Sequence, residues 1–260
     1  MTFQSVSALR TTRAGVVPVT LLLGLGLLGA LSARAEVTVS LFAGKSVTDN
    51  GDLTLKQGST RLKFRNVEWE DESFEDPIFY GARLGYWFDN HPEWGLSIDF
   101  THAKTYLNDK DTVAVQGERN GVVVDGYEPI RDSIQSFNLS HGLNMITFNG
   151  MYRWFAAGQR DQTLLGRLQF YSGLGAGFSI PHVEAMIDGL RTYEYQAAAG
   201  PVVNGMVGLN YDLYEFLSGF LEYKLSYADV DADLKGGGSI SAESVTHQFI
   251  FGITGRFNLW

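Results

Sequence analysis

Residues 78–88, with the sequence IFYGARLGYWF, decide the fold of this chain. Their even-numbered positions are all apolar, whereas the positions between them include Gly81, Arg83 and Gly85. Successive side chains of a β-strand point to opposite faces, so this alternation predicts a strand with one apolar and one mixed polar face. Tyrosine and phenylalanine lie on the apolar face near the strand ends, which is typical of strands that cross an outer membrane.

The same period of two recurs in seven further runs. Together they predict eight strands, each of roughly 10–16 residues, which is longer than the usual strand of a soluble sandwich. The predicted strands are 37–46, 78–88, 94–106, 143–155, 164–180, 201–211, 217–230 and 245–259. Backbone groups in hydrocarbon must pair with one another, so these strands must close into a ring.

An eight-stranded ring has an interior that side chains just fill. The polar faces carry charged residues that we expect to pair there: Arg83, Asp99, Arg153, Arg167, Glu222, Lys224 and Arg256. The predicted fold is therefore an all-β, eight-stranded antiparallel transmembrane β-barrel of the outer membrane with a polar plug. A soluble lipocalin-type barrel is the alternative, but it would hold apolar residues inside and charged residues outside.

Residues 1–35 have the features of a secretory signal peptide. Two arginines precede an apolar run at 16–31, and Ala33-Arg34-Ala35 supplies a small-x-small cleavage pattern. The apolar run is shorter than a membrane-spanning helix requires. We therefore predict a cleaved signal peptide at 1–35 and one outer-membrane β-barrel domain at 36–260.

The predicted connections alternate in length. The short ones are 89–93, 156–162 and 212–216, and the long ones are 47–77, 107–142, 181–200 and 231–244. Short turns of such barrels face the periplasm and long loops face the outside. We therefore expect an outer-membrane protein of a Gram-negative bacterium, with extracellular long loops and both termini in the periplasm.

Composition excludes several classes of function. The chain has no cysteine, which excludes a disulfide framework and any Cys-ligated metal site. The formal net charge is −9 and no basic tract stands out, so nucleic acid is not an expected partner. The run GLGAG at 173–177 imitates a dinucleotide fingerprint, but it lies inside a predicted strand without a following helix. We expect neither flavin nor NAD, and a monomeric barrel.

His182-Val183-Glu184 is the strongest local motif for chemistry. In an extended chain, residues i and i+2 point to one face and lie roughly 6.5–7 Å apart. An imidazole and a carboxylate in that arrangement can share one metal ion or one substrate. His102 and His141 are predicted at the same end of neighbouring strands, and two histidines with one carboxylate suit non-haem iron or a similar divalent metal.

Five segments resemble the lipid A oxidases of rhizobia, which are small outer-membrane barrels. These segments are SFEDPIFYGARLGYWF (73–88), LSIDFTHAKTY (96–106), GLGAGFSIPHVE (173–184), YEYQAAAGP (193–201) and LEYKLSYADVDADLKGGG (221–238). The short patterns F-E-x-P-x-x-Y-G, F-T-H-x-K-x-Y and P-H-V are its most specific parts. The resemblance runs from about Glu36 to Trp260. It implies oxidation of the proximal glucosamine of lipid A to 2-aminogluconate with molecular oxygen.

The resemblance also implies roles for individual residues. The expected catalytic residues are His102, His141, His182 and Glu184, with Glu75 in reserve. The same three histidines and Glu184 are the expected ligands of a divalent metal ion, and Lys104 and Arg191 the expected contacts to the lipid substrate. The alternative is a non-catalytic outer-membrane β-barrel with a structural or surface-interaction role. A small-ligand receptor or channel is disfavoured by the charged interior.

Overall fold

The computed structural model describes residues 35–258, apart from the side chains of Ser140 and His141. The predicted signal peptide therefore lies outside the described residues, except for Ala35. No helix among the described residues is long and apolar enough to cross a membrane.

The described residues are almost entirely β-structure. The strands are β1 Glu36–Thr48, β2 Gly51–Gln57, β3 Thr60–Val67, β4 Trp69–Glu70, β5 Tyr80–Trp87, β6 Trp94–Leu107, β7 Thr112–Arg119, β8 Val122–Pro129, β9 Ser136–Phe155, β10 Leu168–Ser179, β11 His182–Ile187, β12 Leu190–Tyr195, β13 Gly200–Tyr214, β14 Leu217–Asp233 and β15 Ser239–Asn258. One short 3₁₀ turn, Ile130–Asp132, follows β8.

Eight of these strands form the ring that the alternation predicts. They follow the order β1-β5-β6-β9-β10-β13-β14-β15, and β1 pairs with β15 as well as with β5. The β1–β15 pairing runs from Glu36↔Asn258 to Thr48↔Thr246, and every neighbouring pair is antiparallel. The predicted eight-stranded antiparallel fold is confirmed, with strand ends that differ from the predicted ones by a few residues at most positions.

The ring is apolar outside and polar inside, the reverse of a soluble barrel. Its outer surface exposes large apolar side chains: Val39, Leu41, Leu84, Leu96, Ile98, Phe148, Leu174, Val203, Val207, Leu221, Phe249, Phe251 and Ile253. Its interior buries charged ones: Arg83, Asp99, Arg153, Glu222, Lys224 and Arg256. Water would penalise this outer surface, whereas hydrocarbon solvates it, so the ring is built to span a membrane.

One buried ionic cluster fills the middle of the ring. The Arg83 guanidinium lies 2.7 Å from both Asp99 and Glu222, and the Lys224 amine lies 2.8 Å from Asp99. The Tyr171 hydroxyl donates a hydrogen bond of 2.8 Å to Glu222. The side chains of Asp99 and Glu222 are completely inaccessible to solvent. Each carboxylate is therefore paired with a cation, as burial of charge requires.

A second ionic cluster closes the end of the ring that carries the short turns. Arg153 and Arg256 both pair with Glu36, and Arg256 lies 2.8 Å from Asp212. The two clusters form the predicted polar plug. Arg167 does not belong to it, contrary to the prediction: β10 begins only at Leu168, and the Arg167 side chain bonds Gln162 in the preceding turn.

The opposite end of the ring carries a folded cap, defined here as residues 49–79, 105–139, 180–199 and 229–243. The four predicted long connections lie there, but they are folded: β2–β3, β7–β8 and β11–β12 are hairpins, and β14 and β15 continue as a pair beyond the ring. The cap has an ordinary hydrophobic core, which includes Leu53, Phe64, Val115, Ile130, Phe137, Val183 and Ile240. It therefore holds its surface in a defined shape.

We expect Leu174→Arg to cost roughly 2–4 kcal/mol of folding free energy, because a charge at mid-strand on the lipid face is poorly solvated. Leu174 lies in the middle of β10 and its side chain is 76% exposed on the outer surface. Leu168, predicted near mid-strand, is instead the first residue of β10, so a charge there should cost less.

Leu164→Arg is the matched control, because Leu164 is similarly exposed but lies in the turn before β10. Folding titrations into lipid vesicles measure both variants. Equal losses for Leu174→Arg and Leu164→Arg would contradict the position of the membrane band.

Candidate functional site

A wide bulge lies where β6 and β9 leave the ring and enter the cap. Ala103 pairs with Leu143, but Thr105 already pairs with Leu139, so three residues of β9 lie opposite Lys104 alone. Gly142 closes this bulge with a φ of 110°, and a Cβ there would collide with the imidazole of His102. Bulges of this kind redirect side chains and are frequent beside active sites.

His102 lies directly below the bulge, on the outer side of the wall. Its ring stacks on Tyr80 at a centroid distance of 4.8 Å, and its Nδ1 lies 2.9 Å from Oδ1 of Asn144. Asn144 in turn donates to the carbonyl of Ile180, two residues before His182. His102 is only 3% exposed, so these partners hold it in one orientation.

His182 and Glu184 lie on β11, the strand that pairs with the upper part of β9. Their side chains are on one face of β11, as their spacing predicts. Nδ1 of His182 is 3.7 Å from Oε1 of Glu184. Strand β11 pairs with β9 through Glu184↔Asn138, and the same Asn138 pairs with Tyr106 of β6. Residues paired across strands share a face, so Tyr106 and Glu184 lie on the same side of this three-stranded sheet.

Tyr106 is a site residue that the sequence analysis did not select. Burial, a hydrogen bond to Glu72 and the nearby charges of Glu184 and Glu75 all raise the pKa of Tyr106 well above its ordinary value. The phenol therefore stays protonated at neutral pH, and its hydrogen is donated to Glu72. The signal was present in the F-T-H-x-K-x-Y pattern, in which Tyr106 is the last residue.

Lys104 and Arg191, the two predicted substrate contacts, have different surroundings: one is buried and the other is exposed. The Lys104 amine is buried and donates to the backbone carbonyls of Glu75 and Asp76, both at 3.2 Å. It thereby holds the exposed segment that carries Glu75 against β6. Arg191 has a side chain that is 61% exposed and lies 4.0 Å from Glu184. Of the two, only Arg191 presents its charge to the outside.

The remaining histidines divide between the same wall and other places. The backbone of His141 lies in the bulge between His102 and β11, but its side chain lies outside the described part of the chain. His247, on β15, forms hydrogen bonds with Tyr223 and Asp49. His91 is exposed beside Glu93 in a short turn. Among the described side chains, no group of three His, Asp or Glu residues is arranged to hold a metal ion.

His102, Tyr106, His182 and Glu184 lie on the outer face of the wall, not in the interior of the ring. On β6, His102 follows Ile98 and Phe100 along the even-numbered face that lines the membrane band. The cluster therefore lies on the outside of the wall, where the lipid-facing surface meets the cap. The fold and this placement define an outer-membrane β-barrel with a polar, histidine-containing site at the lipid boundary.

No protein-family model matches the chain, and no curated protein matches it. One similar solved structure is Neisserial surface protein A, which is 10% identical, covers 86% of this chain and 97% of its own, and has a TM-score of 0.39. Another is the outer membrane protein OprG from Pseudomonas aeruginosa, which is 12% identical, covers 87% of this chain and 97% of its own, and has a TM-score of 0.38. A third is the outer membrane protease OmpT from Escherichia coli, at 10% identity over 88% and 98% with 0.39. These likenesses carry no argument about function.

Proposed function

We propose that this outer-membrane barrel oxidises the proximal glucosamine of lipid A to 2-aminogluconate with molecular oxygen. The observation that carries the proposal is that His102, His182 and Glu184 lie on the outer face of the wall at the upper edge of the lipid-facing surface, with both histidines buried beneath exposed tyrosines. A membrane lipid reaches such a site laterally, by diffusion within its leaflet. The interior is filled by paired charges, so a soluble substrate has no comparable path through the ring.

The proposal includes an orientation. The cap faces the outside of the cell, and the short turns and both chain termini face the periplasm, as in other barrels with one short-turn end. The site then lies at the level of the outer-leaflet headgroups. Lipid A provides a glucosamine at that level, which agrees with the family resemblance of the sequence.

The reaction begins on a glucosamine with an unsubstituted hydroxyl at C1. Two electrons and two protons leave the C1 hydroxyl and the C1–H bond, and oxygen accepts them as hydrogen peroxide. The product is a lactone, and water opens it to the acid, so the sugar gains one oxygen atom in total. In this proposal Glu184, 3.7 Å from His182, accepts the hydroxyl proton.

We further propose that a divalent metal ion takes part. His182 and Glu184, whose side chains lie 3.7 Å apart, would supply two ligands, and His141 and His102 would have to complete the set. A redox-active metal bound there would supply the electron-transfer chemistry that oxygen requires. Purified wild-type protein is expected to retain one metal ion per chain and to lose it in His182→Ala, while His91→Ala retains it; equal metal contents in the three proteins would contradict this assignment.

The direct test is mass spectrometry of lipid A from a Gram-negative host that supplies a free C1 hydroxyl, with and without this gene. We expect a gain of one oxygen atom that depends on the gene and on aerated growth. Heat-modifiable gel migration reports whether the barrel has folded. Unchanged lipid A in cells that contain the folded barrel would refute the proposed activity.

A non-catalytic, surface-interaction role is the second candidate. The β7–β8 hairpin of the cap favours it, since Val122, Val123 and Tyr127 are 67%, 75% and 79% exposed. Exposed apolar side chains grouped on one hairpin are typical of interaction surfaces. Val122→Ser/Val123→Ser, which changes only exposed side chains of this hairpin, would leave lipid oxidation intact if oxidation is the function.

A further inference from the structure

Two exposed tyrosines cover the buried His182. Tyr195 pairs with His182 and Tyr193 pairs with Glu184 across β11 and β12, so all four side chains share one face. Each tyrosine ring lies 4.5 Å from the His182 ring, at steep angles of 82° and 67°. Tyr193 is 50% exposed and Tyr195 62%, whereas His182 is only 4% exposed. Much of both rings therefore remains available for contact with a ligand.

The hairpin that carries these tyrosines is held from both sides. On one side β11 pairs with β9. On the other side, the Thr192 hydroxyl oxygen accepts a hydrogen bond from the Lys235 backbone at 2.9 Å, and the Gln196 side chain makes two hydrogen bonds of 2.8 Å with the Asp233 backbone. A ligand therefore meets aromatic rings that are already ordered, and little conformational entropy is lost on binding.

A positive charge lies at the edge of this aromatic surface. The Arg191 guanidinium lies 4.6 Å from the centre of the Tyr193 ring and remains mostly exposed. A guanidinium is always charged and matches phosphate or carboxylate oxygens in a bidentate geometry. Its neighbour Glu184 lies 4.0 Å away and satisfies only part of its hydrogen-bonding capacity.

The position of Tyr193 and Tyr195 differs from that of the aromatic residues in the membrane band. Trp94 and Tyr152, for example, pack on each other at the short-turn end of the ring, on its lipid-facing surface. Tyr193 and Tyr195 instead lie on strand β12 of a cap hairpin. The same strand carries the charged residues Arg191 and Glu194. Arg191 lies on the same face of β12 as the two rings, so the surface they form is aromatic and charged at once.

We infer that Tyr193 and Tyr195 form a sugar-stacking platform that, together with Arg191, binds an anionic hexosamine headgroup beside His182. The C–H groups on one face of a pyranose pack against the electron-rich face of an aromatic ring, while its hydroxyls reach polar neighbours. The inference rests on the proposed function for the identity of the lipid, and it names the part of the site that recognises the sugar.

Saturation-transfer NMR with the full barrel folded in detergent tests the platform without any oxidation step. The probes are glucosamine 6-phosphate, which has a sugar ring and an anion, and glycerol 3-phosphate, which has only the anion. For Tyr193→Leu/Tyr195→Leu we expect transfer to the sugar-ring protons to fall at least about fivefold, because leucine removes the aromatic faces. Tyr193→Phe/Tyr195→Phe should retain it, and Arg191→Gln should weaken both probes.

Tyr127→Leu is the matched control, since Tyr127 is an exposed tyrosine elsewhere on the cap. Three results would overturn the platform: no sugar transfer to the wild type at millimolar probe, equal transfer to the leucine double variant, or an equal loss in Tyr127→Leu. Sugar binding without any lipid oxidation would leave the platform standing and refute only the proposed reaction. Oxidation with an unchanged KM in the leucine double variant would refute only the platform.

Discussion

His182→Ala is expected to lower lipid A oxidation at least about 100-fold, because it removes the group that orients Glu184 and a proposed metal ligand in one step. The barrel should still fold, since His182 contributes nothing to the lipid-facing surface and packs mainly against two exposed tyrosines. The measurement is the fraction of lipid A that has gained oxygen, normalised to the folded barrel on a heat-modifiable gel.

The pattern among the histidines is more informative than one variant. Groups that act as one unit are strongly non-additive, so His102→Ala, His141→Ala and the triple variant should each lose about as much activity as His182→Ala. His91→Ala should behave like the wild type, because His91 lies in an exposed turn at the opposite end of the ring. An intact His182→Ala barrel with wild-type oxidation would remove the centre of the proposed site.

Asp99→Ala is expected to destabilise the folded barrel by roughly 3–5 kcal/mol, because it leaves buried cations without their counter-charge. Arg83 and Lys224 both bond Asp99, and these three side chains are at most 8% exposed. After the substitution, Glu222 alone must balance two positive charges. Urea unfolding of the protein in lipid vesicles measures the loss.

Two further variants test the cause of this loss. Asp89→Ala removes an exposed carboxylate from a short turn and should change stability by less than about 0.5 kcal/mol. Asp99→Asn/Lys224→Met removes one charge of each sign and should recover much of the stability lost in Asp99→Asn alone, since neutral replacement of a buried pair is often tolerated. A double variant as unstable as Asp99→Asn would mean that charge balance is not the cause.

The strand ring was predictable because its signal is local. The environment outside the ring is apolar and the interior is polar, so every strand such as 78–88 repeats one alternation along its own sequence. The interior positions of Arg83 and Asp99 also followed from that alternation, whereas their pairing depends on the register of β5 with β6. Arg167 was misplaced because its turn continues the apolar pattern through Leu164 and Leu165, although both lie before β10.

The cap was not predictable in the same way. Its strands are short, and several pair with segments far away in the sequence, as β15 does with β2 and β3 does with β7. Its apolar residues face inward, so the rule that identifies the lipid face of the ring is reversed there. The alternation of apolar and polar residues therefore identified the strands of the ring but not those of the cap.

The sequence by itself determined the number of strands in the ring, which of their side chains face outward, and that His182 and Glu184 share a face. Each of these depends on a period of two within one segment. Only the tertiary structure decided that the β6–β9 bulge lies next to His102, that Lys104 holds a neighbouring segment, and that Tyr106 joins the site. Those features depend on register between strands, which is fixed by pairing and packing over long sequence separations.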